Sequence, residues 1–251
     1  MTLVDPVGVM TERLLLDAAI RPGMRVLDVG CGRGDVTLLL ARLVGETGEV
    51  VGVDREAGPL AVARARAQEL GLSRVRFIEG DFVVQQGKFD AAVGRRVLMY
   101  QPDPVEAVRR LALSVVAGGS IVFQEHDSTL VPASVKPVPL HVRVQEWIWR
   151  TVEAEGAHVH LGFELASVFE RVGLTGTQVR AEAIVQTPAL HYAVGAIVRA
   201  MLPRMLERGV ATAEEIDVDT LDQRLIDERV AANATVISDV VFGAWGRVSG
   251  G

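Results

Sequence analysis

The sequence predicts an α/β fold: a mostly parallel sheet, doubly wound, with helices on both faces. Three observations carry this. Short runs rich in Val, Ile and Phe alternate with helical stretches through the first half of the chain. Glycines follow those helical stretches where left-handed C-terminal caps are wanted. A length of 251 residues with 49% hydrophobic content supplies one sizeable core.

The elements follow in order. Asp5, Glu12, Arg13 and Asp17 punctuate an apolar N-terminal run, which reads as an amphipathic first helix rather than a secretion leader. Strands are expected at Arg25–Val29, Val50–Asp54, Val75–Glu79, Phe89–Val93 and Ser120–Gln124. Helices are expected between them at about Asp35–Val44, Pro59–Leu70 and Pro104–Ala117, closed by Gly45, Gly71 and Gly118–Gly119. Pro132, Pro137 and Pro139 then bar a long helix and predict an extended crossing. In the helix beyond, Leu140, Val144, Trp147, Ile148 and Val152 share one face, and His141, Gln145 and Trp149 recur every four residues on another. A helix at Gly162–Val172 stops at Gly173, and strands follow at Gln178–Gln186 and Val240–Arg247. The residues between those two strands read as helical, with an apolar stripe at Leu190, Val194, Ile197, Met201 and Met205 and a kink at Pro203. Thr212 with Glu215, and Thr220 with Gln223, have capping-box spacing. The whole reads as one domain, 1–251, with helical lid insertions at about 128–161 and 187–237.

Composition removes several function classes. A net charge of −6 without a basic block gives no footprint for nucleic acid. No apolar run reaches the roughly 18 residues of a membrane span, so a soluble protein without a membrane partner is expected. Cys31, the single cysteine, excludes an internal disulfide and a cysteine-clustered zinc site and suits a reducing cytoplasm. His158 and His160 offer too few ligands for a metal centre, and none is expected.

The chemistry centres on Gly30, Gly32 and Gly34, which follow the first sheet strand and open a helix. Gly34 comes two residues after Gly32, whereas a dinucleotide fingerprint needs three. Asp28, just before the loop, would repel a pyrophosphate and attract an ammonium or sulfonium. The stretch DVGCGRG resembles the first motif of the class I S-adenosylmethionine-dependent methyltransferases. GEVVGVDREAGPLAVARARA, FIEGDFVVQ and FDAAVGRRVLMYQPDP extend that resemblance, which covers most of the chain.

The resemblance implies a Rossmann-like, seven-stranded sheet whose last strand is antiparallel, with S-adenosyl-L-methionine as cofactor and S-adenosyl-L-homocysteine as product. It also implies a set of contacts. Gly30 and Gly32 would lie against the methionine part and ribose, and Asp28 would bind the ammonium. Asp54, with Arg55 beside it, would accept both ribose hydroxyls. Asp81 would accept the adenine amino group next to Phe82, and Arg95 would pass under the methionine portion. Taken singly, Asp28 reads equally as a helix cap, Asp54 and Asp81 as strand-ending turn residues, and Arg95 as an ion-pair partner.

VLMYQPDP, AGGSIVFQEHD, GFELASVFERVGL and VVFGAWGRV are similar to bacterial small-molecule enzymes of the quinone-methylating and natural-product branch. The expected activity is methyl transfer to oxygen or carbon, less so nitrogen, of a small hydrophobic metabolite in secondary metabolism. A cyclisation or rearrangement on the same fold, or a non-catalytic cofactor-binding protein, stands as the alternative. His126 leads as general base, with Tyr100 beside it. Glu125 would orient the imidazole or line the substrate pocket with His141, Trp149, His191 and Tyr192. The insertions would exclude water or supply a homodimer interface, two uses that the sequence does not separate.

Overall fold

A computed structural model describes residues 2–3, 5–81, 88–130 and 132–250. In chain order its elements are β1 (Thr2–Leu3), α1 (Pro6–Asp17), β2 (Arg25–Val29), α2 (Asp35–Val44), β3 (Glu49–Asp54), α3 (Ala57–Glu69), β4 (Val75–Glu79) and β5 (Phe89–Arg95). A 3-10 turn (Leu98–Tyr100), α4 (Pro104–Ala112), β6 (Val115–His126), α5 (Pro139–Ala154), α6 (Leu161–Val172) and β7 (Thr175–Gln186) follow. The chain closes with β8 (Leu190–His191), α7 (Val194–Glu207), α8 (Ala213–Ile216), α9 (Leu221–Ala232) and β9 (Val236–Arg247).

Seven strands form one sheet in the order β4-β3-β2-β5-β6-β9-β7. The pairs β2–β3, β2–β5, β3–β4 and β5–β6 are parallel. The last strand runs the other way, because Gly118 and Gly119 at the start of β6 exchange backbone bonds with Val248, just past the end of β9. The Thr175 hydroxyl at the start of β7 likewise donates to the Arg247 carbonyl. Strand order reverses between β2 and β5, the switch point at which open α/β sheets hold ligands beyond their carboxyl ends.

Two compact units are distinguished. One comprises Met10–Glu125, Leu161–Arg180 and Phe242–Gly251, here called the sheet unit. In its core, Leu14, Leu15, Val26, Leu40, Ala91 and Val122 are all buried. On α2 the buried positions Val36, Leu40 and Val44 recur every four residues, so the helix presents an apolar stripe. Asp103 accepts from the Glu106 N–H and Pro104 occupies the first turn, which sets the start of α4. The other unit comprises Met1–Val9, His126–His160 and Ala181–Val241, here called the helical unit. Within it α5 touches both α7 and α9, and α7 touches α9.

Several boundaries differ from the sequence reading. α4 ends at Ala112, and Val115–Ala117 are already strand. Val115 pairs with Phe89, and a register shift separates that pair from Ala91 with Ser120. Gly118, at φ +76°, therefore serves an irregularity in β6 rather than a helix cap. Leu190 falls outside α7 because it pairs with Thr2 in a short parallel ladder. Thr212 and Glu215 form the expected capping box, but the Thr220 hydroxyl turns back to Asp217 and caps nothing. Pro203 lies inside α7 as expected.

Candidate active site

The loop after β2 is built from left-handed glycines, with φ of +64° at Gly30, +52° at Gly32 and +85° at Gly34. A Cβ at Gly30 would meet Val97 Cγ2 at 2.4 Å, so the loop lies hard against the turn that follows β5. At Gly32 a Cβ would meet nothing within 4 Å, which leaves that side of the backbone open to a ligand. Asp54, at the end of β3, clamps the loop: Oδ2 accepts from the Gly32 N–H at 2.7 Å and Oδ1 from the Glu56 N–H at 3.0 Å. Each carboxylate oxygen has two acceptor positions, so the pair retains capacity for the vicinal hydroxyls of a ribose.

Asp28 is 1% exposed and accepts from the Thr37 hydroxyl. Burial pushes its carboxyl up to about 7, against the opposing pull of the Thr37 bond and the Arg95 guanidinium. A cavity of about 280 Å³ opens beside it, lined by Gly30, Gly32, Asp35, Arg95 and Arg96 among others. Arg95 keeps one arm 3.8 Å from Asp35 Oδ2 and the other 3.4 Å from the Thr11 hydroxyl. A buried carboxyl of this kind gains most from a cation, and Asp28 and Asp35 with Arg33, Arg95 and Arg96 on the same cavity offer partners for both the ammonium and the carboxylate of an amino acid. The residues present therefore fit a phosphate-free nucleoside carrying an ammonium and a sulfonium. Burial also raises the Cys31 thiol far above its ordinary range, so it is no nucleophile. Arg55 and Asp81 are exposed, beyond the ends of β3 and β4. Phe82 lies outside the described residues.

At the end of β6, neighbouring residues part company. Glu125 is 0% exposed, and its Oε1 accepts from the backbone N–H groups of Val97 (3.1 Å) and Leu98 (2.8 Å). It holds the turn in which Arg96 adopts φ +53°, and neither orients His126 nor stands open as a pocket wall. Burial pushes its carboxyl up to about 8, against those two backbone bonds. The partner of His126 is Asp239 in β9, with Nδ1 and Oδ2 2.6 Å apart. Asp239 Oδ1 also accepts from the Val240 N–H. Sequence reasoning missed Asp239 because it started the last strand one residue later; an acid inside the apolar run of β9 was the available signal. Tyr100 is 38% exposed in the 3-10 turn.

In the helical unit the expected pocket residues divide. His141 and His191 are 4% and 2% exposed and flank Arg229, which is 0% exposed. Arg229 Nη1 donates to His141 Nε2 and Nη2 to His191 Nδ1, both at 2.9 Å. His141 Nδ1 meets Glu228 at 2.7 Å, and His191 Nε2 meets Asp222 at 3.3 Å. Glu228 also accepts from the Leu140 and His141 N–H groups that open α5, and Asp222 from the Gly195 N–H that opens α7. The two histidines thus belong to a buried polar node, not to an open wall. Arg229 went unnoticed in the sequence, although an arginine continuing the i, i+4 stripe of Leu221 and Leu225 announces a buried charge. Trp149 is half-buried, and its Nε1 has no partner among the described residues. Tyr192 is half-buried too, and its backbone N–H donates to the Gln186 side chain.

A family model described as a methyltransferase domain matches residues 20–177. That span runs from before β2 into β7 and contains the glycine loop, Asp54 and the end of β6. The chain belongs to this family. It is a class I S-adenosylmethionine-dependent methyltransferase of the bacterial small-molecule type. It is 31% identical over 127 residues to a demethylmenaquinone methyltransferase of Staphylococcus aureus, a match covering 49% of this chain and 52% of that protein. The chain thus spans about half the length of that relative. The demethylmenaquinone methyltransferase of Bacillus cereus ATCC 10987 is 28% identical over 178 residues, covering 64% of this chain and 74% of the other. The solved structure of the YcgJ protein from Bacillus subtilis shares the fold, with a TM-score of 0.62 at 19% identity, over 97% of this methyltransferase and all of that chain (100%).

Proposed function

We propose that this methyltransferase transfers a methyl group to the oxygen or carbon of a small hydroxylated aromatic, a phenol or a quinol. The observation that carries the reading is the carboxylate lining of the glycine loop. Asp28 and Asp54 set carboxyl groups beside the loop where a nucleotide phosphate would otherwise lie. The bound cofactor supplies an activated methyl on a positive sulfur. Asp54 would hold the ribose, Asp28 with the Gly32 backbone the methionine ammonium, Asp81 and Phe82 the adenine, and Arg95 the methionine carboxylate.

The acceptor class has two supports. The relatives just described bear the name of a quinone-precursor methyltransferase. His126, at the carboxyl end of β6, carries an imidazole that could take the proton of a hydroxyl as the new bond forms. Calorimetric titration with S-adenosylmethionine and S-adenosylhomocysteine, followed by assays on phenols, quinols and polyketide-like acids, tests the reading. We expect binding of both nucleosides and a mass gain of one methyl on at least one aromatic acceptor. Binding without any methylated product would discard transfer in favour of cyclisation or rearrangement, and absence of binding would discard the cofactor.

A further inference from the structure

We infer that Asp239 is a positioning residue for methyl transfer: it fixes His126 in the Nδ1–H tautomer and leaves Nε2 as the proton acceptor. The inference rests on the reading of His126 as the base and extends it to a residue outside the glycine-loop constellation. Three observations carry it. His126 Nδ1 lies 2.6 Å from Asp239 Oδ2, a charge-assisted distance. Asp239 Oδ1 accepts from the Val240 N–H at 2.8 Å, so the carboxylate has its second oxygen anchored to its own strand. His126 Nε2 is buried and has no hydrogen-bond partner among the described residues.

An ionised carboxylate only accepts, so the ring nitrogen facing it carries the hydrogen. The other nitrogen then presents a bare lone pair. Histidine in water prefers the opposite tautomer, and a buried nitrogen without a partner is costly. Together with the Asp239 contact, that bare nitrogen is the feature a general base needs. The acceptor X–H would give its proton to Nε2, and the X–H electron pair would form the bond from X to the methyl carbon. The sulfur–carbon electrons would stay on the departing sulfur as a neutral thioether, and Asp239 would compensate the new imidazolium. Glu125 does not fill this role although it adjoins His126 in sequence. Successive strand residues point to opposite faces, and its carboxyl is committed to the N–H groups of Val97 and Leu98.

The test has two arms on the full-length protein. In the first, ring nitrogens are labelled and their tautomer read from long-range nitrogen–proton correlations at pH 8, with His126→Gln assigning the signal. Wild type is expected to show Nδ1–H, and Asp239→Ala to show Nε2–H or a mixture. An unchanged Nδ1–H signal in Asp239→Ala overturns the inference. In the second arm, methyl transfer to 1,4-naphthoquinol, or to whichever panel acceptor the wild type uses, is compared between wild type, Asp239→Asn and Asp239→Ala. We expect kcat to fall at least tenfold in both variants, with S-adenosylmethionine affinity within twofold of wild type. Retained turnover overturns the inference, and so does a parallel loss of turnover and cofactor affinity, which would mark a structural role. Circular dichroism and cofactor titration identify a variant that fails to fold, in which case Asp239→Asn decides. A wild type that binds cofactor but methylates no acceptor sinks the base assignment of His126 instead, and the tautomer arm separates that failure from this one.

Discussion

Arg229 and Asp28 are both buried charges, one in each unit, and their surroundings differ in kind. Each guanidinium nitrogen of Arg229 has an acceptor: two imidazoles, the Thr187 carbonyl and the Leu225 carbonyl. Its imidazoles are backed by Glu228 and Asp222, which also open α5 and α7. Asp28 has the Thr37 hydroxyl and an open cavity. A buried charge with every partner in place organises helices, whereas one left beside empty space is prepared for a ligand. The first is a structural element and the second the proposed binding element; in the sequence Asp28 stands among apolar neighbours, whereas Arg229 follows Asp227 and Glu228.

The largest effect should come from breaking the satisfied node. Arg229→Ala removes the shared donor of His141 and His191, and loss of a buried charged partner costs about 3–5 kcal/mol. A fall of that size in chemical unfolding is expected, because His141 and His191 each lose the donor buried between them; a change under 1 kcal/mol would remove the node from any account of stability. Next comes Asp54→Ala, which strips the acceptor of the Gly32 N–H and the proposed acceptor of the ribose. Calorimetry should show S-adenosylmethionine affinity reduced by roughly 10–100-fold, equivalent to about 1.4–2.8 kcal/mol. Unfolding should move less than in Arg229→Ala, and wild-type affinity would remove Asp54 from the site.

Two smaller effects sharpen the contrast through pH. Because burial raises Asp28 to about 7, a cofactor ammonium held there as proposed would meet a mostly neutral carboxyl at pH 6 and a mostly ionised one at pH 8. Affinity should therefore rise roughly tenfold across that interval, and Asp28→Asn should bind more weakly and flatten the slope. The same linkage sets opposite stability trends in the two units. Burial lowers His141 and His191 below their ordinary 6.5, so the unfolded chain binds their protons first and the helical unit weakens as pH falls below about 6.5. Asp28 and Glu125 are raised from 3.8 to about 7 and from 4.5 to about 8, so the folded chain keeps protons that the unfolded chain releases. The sheet unit should weaken as pH rises from about 4 to about 8. Hydrogen exchange corrected for intrinsic rates and resolved by peptide would reveal the crossing; parallel trends in both units would contradict it.

How much of this was visible beforehand depended on whether a signal was local. β2, β4 and α2 have the bounds that their apolar patterns and glycine punctuation predict, Arg25–Val29, Val75–Glu79 and Asp35–Val44. Asp28 and Asp54 were legible because motif spacing ties each to a strand end. β6 was misjudged at its start because Val115 and Val116 continue a helical apolar spacing, and only pairing with Phe89 makes them strand. Asp239 and the Arg229 node escaped for the same reason: each depends on partners far away in sequence. His126 finds its acid 113 residues on, and Arg229 finds His141 88 residues back. Proximity along the chain instead suggested Glu125, which alternation turns away.

The contact between Gly30 and Val97 links two segments that the motif treats as separate. The Val97 N–H is held by Glu125, so a side chain introduced at Gly30 would press on a turn with little freedom to retreat. Engineering that enlarges the glycine loop therefore has to trim Val97 in the same step, and even then the left-handed φ of +64° at Gly30 resists any residue bearing a Cβ. Position 30 should stay glycine among active clones of any library, and the exceptions should carry a smaller residue at position 97.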